Sequence, residues 1–373
     1  MKEVVFKHFS VIEDTRCQCD VEHKLVDVLV LIMCATLCGI DELDEIVEYG
    51  KSKIKFLKKY FGIKKTPSAS TIGRILNMIS SDKVAVCIVN IMKEILGVSG
   101  EIIAIDGKTI CSTETMSSYK KSLHILTAYL TENGVTIGQL AVEEKSNEIP
   151  CMRELLELID IKNKIVTADA LHCQKDTVEK IVSNGGDYVI GLKGNQKLLH
   201  DDVKLYMDDC ITSKFADDKK LYEMAQTSEK NRDRYEVRTC YLLKDISWLS
   251  GKDEWKNLNS VFAINRKTTK GEKKSEETNY YISSLSVAPE RFLEIVREHW
   301  KIESLHWQLD MVFSEYDCRV LSVNGQKTLN VFRKLALSLH KNYTATLPKK
   351  KSMRGNMFKC LLDDEILLKV VSL

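Results

Sequence analysis

Three features are scarce in this chain, and each scarcity closes off a class of protein. The twelve cysteines include no CxxC pair, and no secretory leader precedes them. Cys17, Cys19 and His23 stand close together, but at a spacing that fits no common zinc module, so the cysteines read as free, buried thiols in a reducing, cytosolic setting. No apolar run is long enough to cross a bilayer. The longest, residues 28–40, lies between Asp27 and Asp41 and reads as a core helix. No targeting segment is visible. Acidic residues are missing from two long stretches. Residues 51–80 hold eight Lys/Arg and no acid, and residues 318–362 hold ten and no acid. The net charge of +2 therefore averages segregated blocks, the pattern left by a polyanion-binding surface.

What is present is an ordinary globular composition, 44% hydrophobic and 29% charged, with chain enough for two or three domains. Residues 20–98 read as all-helical. Pro67, Ser68 and Ser70 precede an amphipathic helix carrying Ile72, Ile75, Leu76 and Ile79 on one side and Arg74 on another. A capped helix start beside lysines suits a DNA phosphate, and Arg74 is its candidate contact. A further helix closes at Gly97. Then EIIAIDGKTI, residues 101–110, gives a strand buried on both faces that ends on an acid, Asp106. Burying that carboxylate costs several kcal/mol unless it meets water, donors or a cation.

Two β-rich runs flank Asn133-Gly134, a strong hairpin signal, so the first three strands form a meander. Pro150 opens a helix, KIVTADA gives a fourth strand ending at Asp169, and a helix closed by Gly185-Gly186 leads into the strand DYVIGLK. The order βββ-α-β-α-β is that of a ribonuclease-H-like α/β fold with a mixed five-stranded sheet. Its first and fourth strands lie parallel and adjacent, which sets Asp106 beside Asp169. Two carboxylates so close repel unless divalent cations lie between them. Residues 197–286 break the pattern and read as a β-rich insertion containing the basic hairpin RKTTKGEKK. From Pro289 one long helix is expected through Phe313, with His299, Glu303, His306 and Asp310 in a single stripe and Trp300 and Trp307 on its flank. The expected domains are a helical N-terminal domain at 1–98, a catalytic domain at 99–345 and a basic C-terminal segment at 346–373.

Two strand-end aspartates and a helical glutamate are what two-metal phosphoryl transfer on DNA requires. Asp106, Asp169 and Glu303 are the expected ligands of two Mg²⁺ ions, with Mn²⁺ an alternative. Lys108, Lys193, Arg297, His299 and Arg319 are the other expected DNA contacts; such cations give affinity rather than sequence choice. A zinc site on His299, Glu303 and His306 is a minor alternative.

The motifs IAIDGKT, KSNEIP (145–150), VTADALHCQKD, GGDYVIGLKGNQ, YYISSL and REHWKIESLHWQLDMVF resemble those of the H-repeat-associated, ISAs-type insertion-sequence transposases of the DDE superfamily, over roughly residues 20–370. The resemblance implies a DDE triad on Asp106, Asp169 and Glu303, cleavage at the ends of an element, and attack of the freed 3′-hydroxyl on target DNA. It also implies double-stranded DNA as partner, both terminal inverted repeats and target, with self-association on that DNA. Glu303 and the following His-Trp are one residue closer than in many relatives, and Leu321 stands where a basic residue is frequent. The competing readings are a nuclease of the same fold that cuts without joining, and a catalytically inactive DNA-binding relic.

Overall fold

The computed structural model describes residues 2–372 apart from 18, 20, 98, 111–122, 143–146, 212–221, 232, 319, 321 and 350. The chain divides into two compact units, neither continuous in sequence. One is Met1–Ser99, Gly107–Lys145 and Glu303–Leu373; the other is Gly100–Asp106 and Ser146–Ile302.

The first unit starts with six helices: α1 (Lys2–Phe9), α2 (Leu25–Leu37), α3 (Leu43–Ser52), α4 (Ile54–Phe61), α5 (Ala69–Met78) and α6 (Ser81–Leu96). Local chemistry sets their ends. Ser68 and Ser80 cap α5 and α6 by accepting from the Thr71 and Lys83 amides. Gly62 and Gly97, both left-handed, stop α4 and α6. Helix α2 is apolar all round and accordingly buried. Strand β1 (Ile102–Ile110) follows, then the antiparallel pair β2 (Leu123–Leu130) and β3 (Val135–Val142), which turns through Asn133-Gly134 as expected.

The second unit adds α7 (Glu148–Leu158), β4 (Ile165–Ala168), α8 (Lys175–Ser183), β5 (Asp187–Leu192) and α9 (Lys197–Ile211), then β6 (Tyr222–Asn231), β7 (Arg234–Leu243), β8 (Ser260–Lys270), β9 (Lys273–Ser283) and α10 (Pro289–His299). Strands β4 and β5 run parallel, and β9 continues the sheet antiparallel to β5. The sheet therefore has nine strands, in the order β3-β2-β1-β4-β5-β9-β8-β7-β6, not the expected five. The five foreseen strands stand in the order β3-β2-β1-β4-β5, with β1 and β4 adjacent and parallel as expected. The miscount arose because the insertion reads as a separate β segment, whereas its last strand finds an open edge at β5 and brings the other three with it. The insertion also opens on a helix, α9, rather than on a strand.

The expected long helix over 289–313 is two. Helix α10 stops at His299, and α11 (Lys301–Phe313) begins after Trp300. Neither glycine nor proline marks the break, so periodicity alone carried the helix through it. The expected four-residue stripe is therefore divided between two helices, His299 on α10 and Glu303, His306 and Asp310 on α11.

Back in the first unit, α12 (Val323–Thr346) is mostly buried, and α13 (Met353–Leu362) and α14 (Asp364–Val371) finish the chain. This corrects the reading of the second basic block, since Arg333 and Lys334 are each only 2% exposed. The thiols need a correction too. The ten cysteines whose side chains are described are free, but Cys17 and Cys19 are exposed. Among the described residues no single helix is long and apolar enough to cross a membrane.

The core of the second unit forms where α10 covers one face of the insertion strands. Phe262, fully buried, stacks on Phe292 at 4.2 Å between ring centroids and on Tyr281 at 5.0 Å. Phe262→Ala removes the shared partner of both rings and leaves a cavity. Chemical denaturation of the full chain is expected to show a loss of about 3–5 kcal/mol.

Candidate active site

Strand pairing decides the position of the two aspartates. Strands β1 and β4 run parallel with Ile102 opposite Ile165 and Ile105 opposite Ala168. Asp106 and Asp169 are the next residue on each strand, at the level where adjacent strands stand about 4.8 Å apart. Asp106 is partly buried and Asp169 exposed. Asp169 also caps the short turn Ala170–His172, its Oδ1 accepting from the Leu171 amide at 3.0 Å.

That turn is clamped by residues the sequence reading passed over. Asn195 donates to the Ala170 carbonyl at 2.7 Å and Gln196 to the Cys173 carbonyl at 2.8 Å. Gly191 lies so close that a Cβ there would meet the Ala170 nitrogen at 3.2 Å. His172 and Glu148, both buried, pair at 3.2 Å. The motifs GLKGNQ, KSNEIP and VTADALHCQKD contained these residues, but among them only Lys193 and Asp169 were singled out, because a charged side chain advertises a role that a glycine or an amide does not. The first residues of KSNEIP lie outside the described ones.

His299 belongs to the aspartates rather than to a solvent-facing stripe. It is partly buried, and its Nδ1 lies 2.9 Å from the Thr167 hydroxyl, two residues before Asp169. Burial pushes its pKa down, while the negative charges of Asp106 and Asp169 pull it up; the balance is a lowered value and a neutral imidazole at neutral pH. It was expected to touch DNA; it lies near enough to both carboxylates to feel their charge.

The donor set next to it is all oxygen. The strand expected to end on Asp106 runs on to Ile110, so the two carboxylates stand on neighbouring strands, Asp106 within β1 and Asp169 just past β4, and they suit a hard cation such as Mg²⁺ better than a soft one.

The first unit carries the other charged residues of the motifs. Glu303 sits exposed in the first turn of α11, and His306, one turn on, is buried. Lys108 was expected to meet a phosphate. Its ammonium is instead taken up by two carboxylates, Asp310 at 2.6 Å and Glu315 at 2.8 Å. Glu315 is fully buried and also accepts from Asn330 at 2.7 Å and Arg333 at 3.3 Å, while Arg333 pairs with Asp41 at 2.6 Å. Burial alone would raise the Glu315 pKa. The charges of Arg333 and Lys108, with hydrogen bonds from Lys108 and Asn330, overcome it and hold the carboxyl down at about 2. Lys334 donates to the Thr127 and Gln139 oxygens, both at 2.8 Å, and burial brings its pKa down to about 7.

Comparison with known proteins agrees with the motifs. The family description "Transposase DDE domain" matches residues 98–339, and "DDE_Tnp_1-associated" matches residues 6–92. The "H repeat-associated putative transposase YhhI" of Escherichia coli (strain K12) is 33% identical over 99% of this chain and 97% of its own length. The "Putative transposase YncI" of Escherichia coli O157:H7 is 36% identical over 89% and 86%. This chain belongs to the DDE transposase family. A solved piggyBac transposase synaptic complex with hairpin DNA aligns with 99% of this chain and 78% of its own at 9% identity, but its TM-score of 0.39 is too low to inform the fold.

In this member of the DDE family the remaining candidate DNA contacts are scattered. Arg74 is exposed on α5 and donates to the Thr71 hydroxyl at 3.3 Å. It lines a groove of about 1070 Å³ together with Arg16, Lys51, Lys64 and Lys65. Lys193 is exposed at the start of the clamping turn. Arg297 is ion-paired with Glu229 at 2.5 Å. Arg319 lies outside the described residues.

The depressed pKa of Glu315 has a defined sign in stability. The stabilisation is fully present above the unfolded value of 4.5 and is lost as pH falls through about 2. The shift corresponds to roughly 3 kcal/mol. Glu315→Gln is expected to lower stability at neutral pH by about that amount and to flatten the acid limb between pH 4.5 and 2. Denaturant midpoints measured across that range check it; curves that run parallel in the two proteins would refute the assignment.

Proposed function

We propose that this chain mobilises an insertion sequence, cutting DNA at the element's ends and joining the freed 3′-hydroxyls to target DNA, with Asp106, Asp169 and Glu303 as its acidic triad. The observation that carries the reading is the registered β1–β4 pair, with an aspartate next on each strand. A fold gains nothing from setting two carboxylates side by side unless cations neutralise them. Bound there, two divalent ions, Mg²⁺ or Mn²⁺, would supply charge neutralisation at the scissile phosphate and a more acidic water.

The chain's own groups do the placing. Asp106 presents its oxygens from within β1 and Asp169 from just past β4, and the cap on the Leu171 amide fixes the rotation of the second. His299, held neutral by burial and oriented by Thr167, adds no positive charge of its own beside the carboxylates. Glu303 comes from the first turn of α11, and Lys108 is a positioning residue that ties β1 to Asp310 on the same helix. Residues 1–98 serve as a DNA-binding domain, 99–345 as the catalytic domain, and the basic segment 346–373 as an accessory. The protein acts in the cytoplasm on double-stranded DNA and self-associates there, because two ends have to be brought together.

The test is a labelled duplex carrying a candidate element end, incubated with target DNA and Mg²⁺ or Mn²⁺. Asp106→Asn, Asp169→Asn and Glu303→Gln are each expected to lower cleavage by roughly a hundredfold or more while leaving duplex binding intact. Strand-transfer products support the transposase; free ends alone convert the reading to a nuclease, and triad variants that cut like wild type end it. Gly191→Ala is expected to slow cleavage by tenfold or more with little loss of thermal stability, because a shift of a few tenths of an ångström in the Asp169 turn disturbs the reacting geometry. Unchanged cleavage by that variant would show that the turn has slack.

A further inference from the structure

Of the ten cysteines whose side chains are described, eight are buried and two, Cys17 and Cys19, are exposed. Burial pushes the thiols of Cys38, Cys173 and Cys360 up to about 12 and that of Cys151 to about 11. The thiolate is the reactive form, so these four are inert at neutral pH. Cys17 departs in the other direction. Hydrogen bonding with the Cys19 side chain, and then with its backbone, lowers the Cys17 pKa. The two sulfurs are one residue apart along the chain and 2.6 Å apart in space.

The segment around the pair is tied across itself. Arg16 donates to Asp14 through Nε at 2.8 Å and Nη2 at 2.7 Å, and to the His23 carbonyl at 2.9 Å. With its flanks already joined, closing one more bond between them costs little chain entropy. Cys17, with Arg16, Glu22 and His23, lines the groove that also contains Lys65 and Arg74, and Lys65 pairs with Glu22 at 2.7 Å. A metal fits this pair poorly. Two thiolates on one tetrahedral zinc, each about 2.3 Å from the ion, stand roughly 3.8 Å apart. The separation here is well inside that and within about 0.6 Å of a disulfide bond. Among the described residues, Cys17, Cys19 and His23 do not come close enough together to share an ion.

We propose that Cys17 and Cys19 are an oxidisable dithiol whose substrate is a small-molecule disulfide of the glutathione type, and that the bond they form stiffens the segment lining the groove. Cys17, having lost its proton to water, attacks one sulfur of the small disulfide. A mixed disulfide forms, the old S–S bond breaks, and the departing thiolate takes up a proton. Cys19 then loses its own proton to water and attacks the Cys17 sulfur, releasing the second small thiol. Two protein thiols are oxidised, and one disulfide is reduced to two thiols. An exposed disulfide of this kind is labile, so in a reducing cytosol the pair rests as thiols and closes when the thiol pool becomes oxidised. This chemistry needs neither the acidic triad nor DNA.

The test uses the full chain, reduced, freed of small thiols and incubated at neutral pH with glutathione disulfide. The protein is then unfolded, its remaining thiols are alkylated, and trypsin, cutting after Arg16 and Lys24, releases residues 17–24 as one peptide. That peptide is expected to have lost two hydrogens and to take no alkyl group, while the peptides bearing Cys38, Cys173 and Cys360 are fully alkylated. Cys19→Ser should stop at a mixed disulfide on Cys17. Cys17→Ser should slow the reaction of Cys19 by roughly tenfold or more, because the better attacking thiolate is gone. The reduced double variant Cys17→Ser/Cys19→Ser should keep the wild-type thermal midpoint, since both side chains are exposed. Amide hydrogen exchange over residues 14–24 should slow on oxidation and recover with reductant. Glutathione left on both cysteines overturns the proposal, as does a bond from either one to a third cysteine, or a pair that stays reduced while buried thiols react. One equivalent of zinc that co-purifies with wild type and is lost from the double variant also overturns it, and marks a metal site instead. Exchange that is the same in the oxidised and reduced protein overturns the stiffening.

Discussion

The constraint on which this molecule turns is the parallel pairing of β1 and β4. Four registered residue pairs, from Ile102 with Ile165 to Ile105 with Ala168, bring two chain segments some sixty residues apart into step, and the next residue on each is an aspartate. Hydrophobic burial drives that pairing, since the strand residues leading to the acids are among the most buried in the chain. The electrostatic cost falls where the β1–β4 pairing stops, at an Asp169 that reaches solvent and an Asp106 that is only partly buried. Around the pair, a backbone amide caps Asp169, the charges of both acids act on His299, and Asn195 and Gln196 pin the turn that follows.

A second theme is how much of the chain's positive charge is spent internally. Lys108 and Arg333 share the buried Glu315, Arg333 adds Asp41, and Lys334 is buried against two neutral oxygens. Breaking such a network by removing one partner is costly, because the remaining charges stay buried without compensation. The network joins β1, α11 and α12 within one unit, which gives the helix bearing Glu303 a defined seat on the strand that follows Asp106. Cations that a linear reading assigns to DNA thus turn out to build the framework.

The order of elements and their ends were legible because they rest on local chemistry. Caps at Ser68 and Ser80, left-handed glycines at 62 and 97, and the turn through Asn133-Gly134 each act within a few residues. The break at Trp300 and the merging of the insertion into the main sheet were not legible. The first has no residue-type signal, and the second depends on an open edge at β5 that no single segment encodes. The candidate site was half legible. Asp106, Asp169 and Glu303 stand out by residue type and motif, whereas Gly191, Asn195 and Gln196 matter through contacts with the turn after Asp169.

By itself, then, the sequence determined the family, the strand order of the first five strands and the three acids worth testing, because hydrophobic period, caps and motif residues are properties of neighbours along the chain. The tertiary structure alone decided which charges face each other. Only there does Lys108 find Asp310 and Glu315, His299 come near enough to both aspartates to feel their charge, and the sheet reach nine strands. Pairing energies fall off over a few ångströms, so they are fixed by distances in space, and distances in space are what a linear order of residues leaves open.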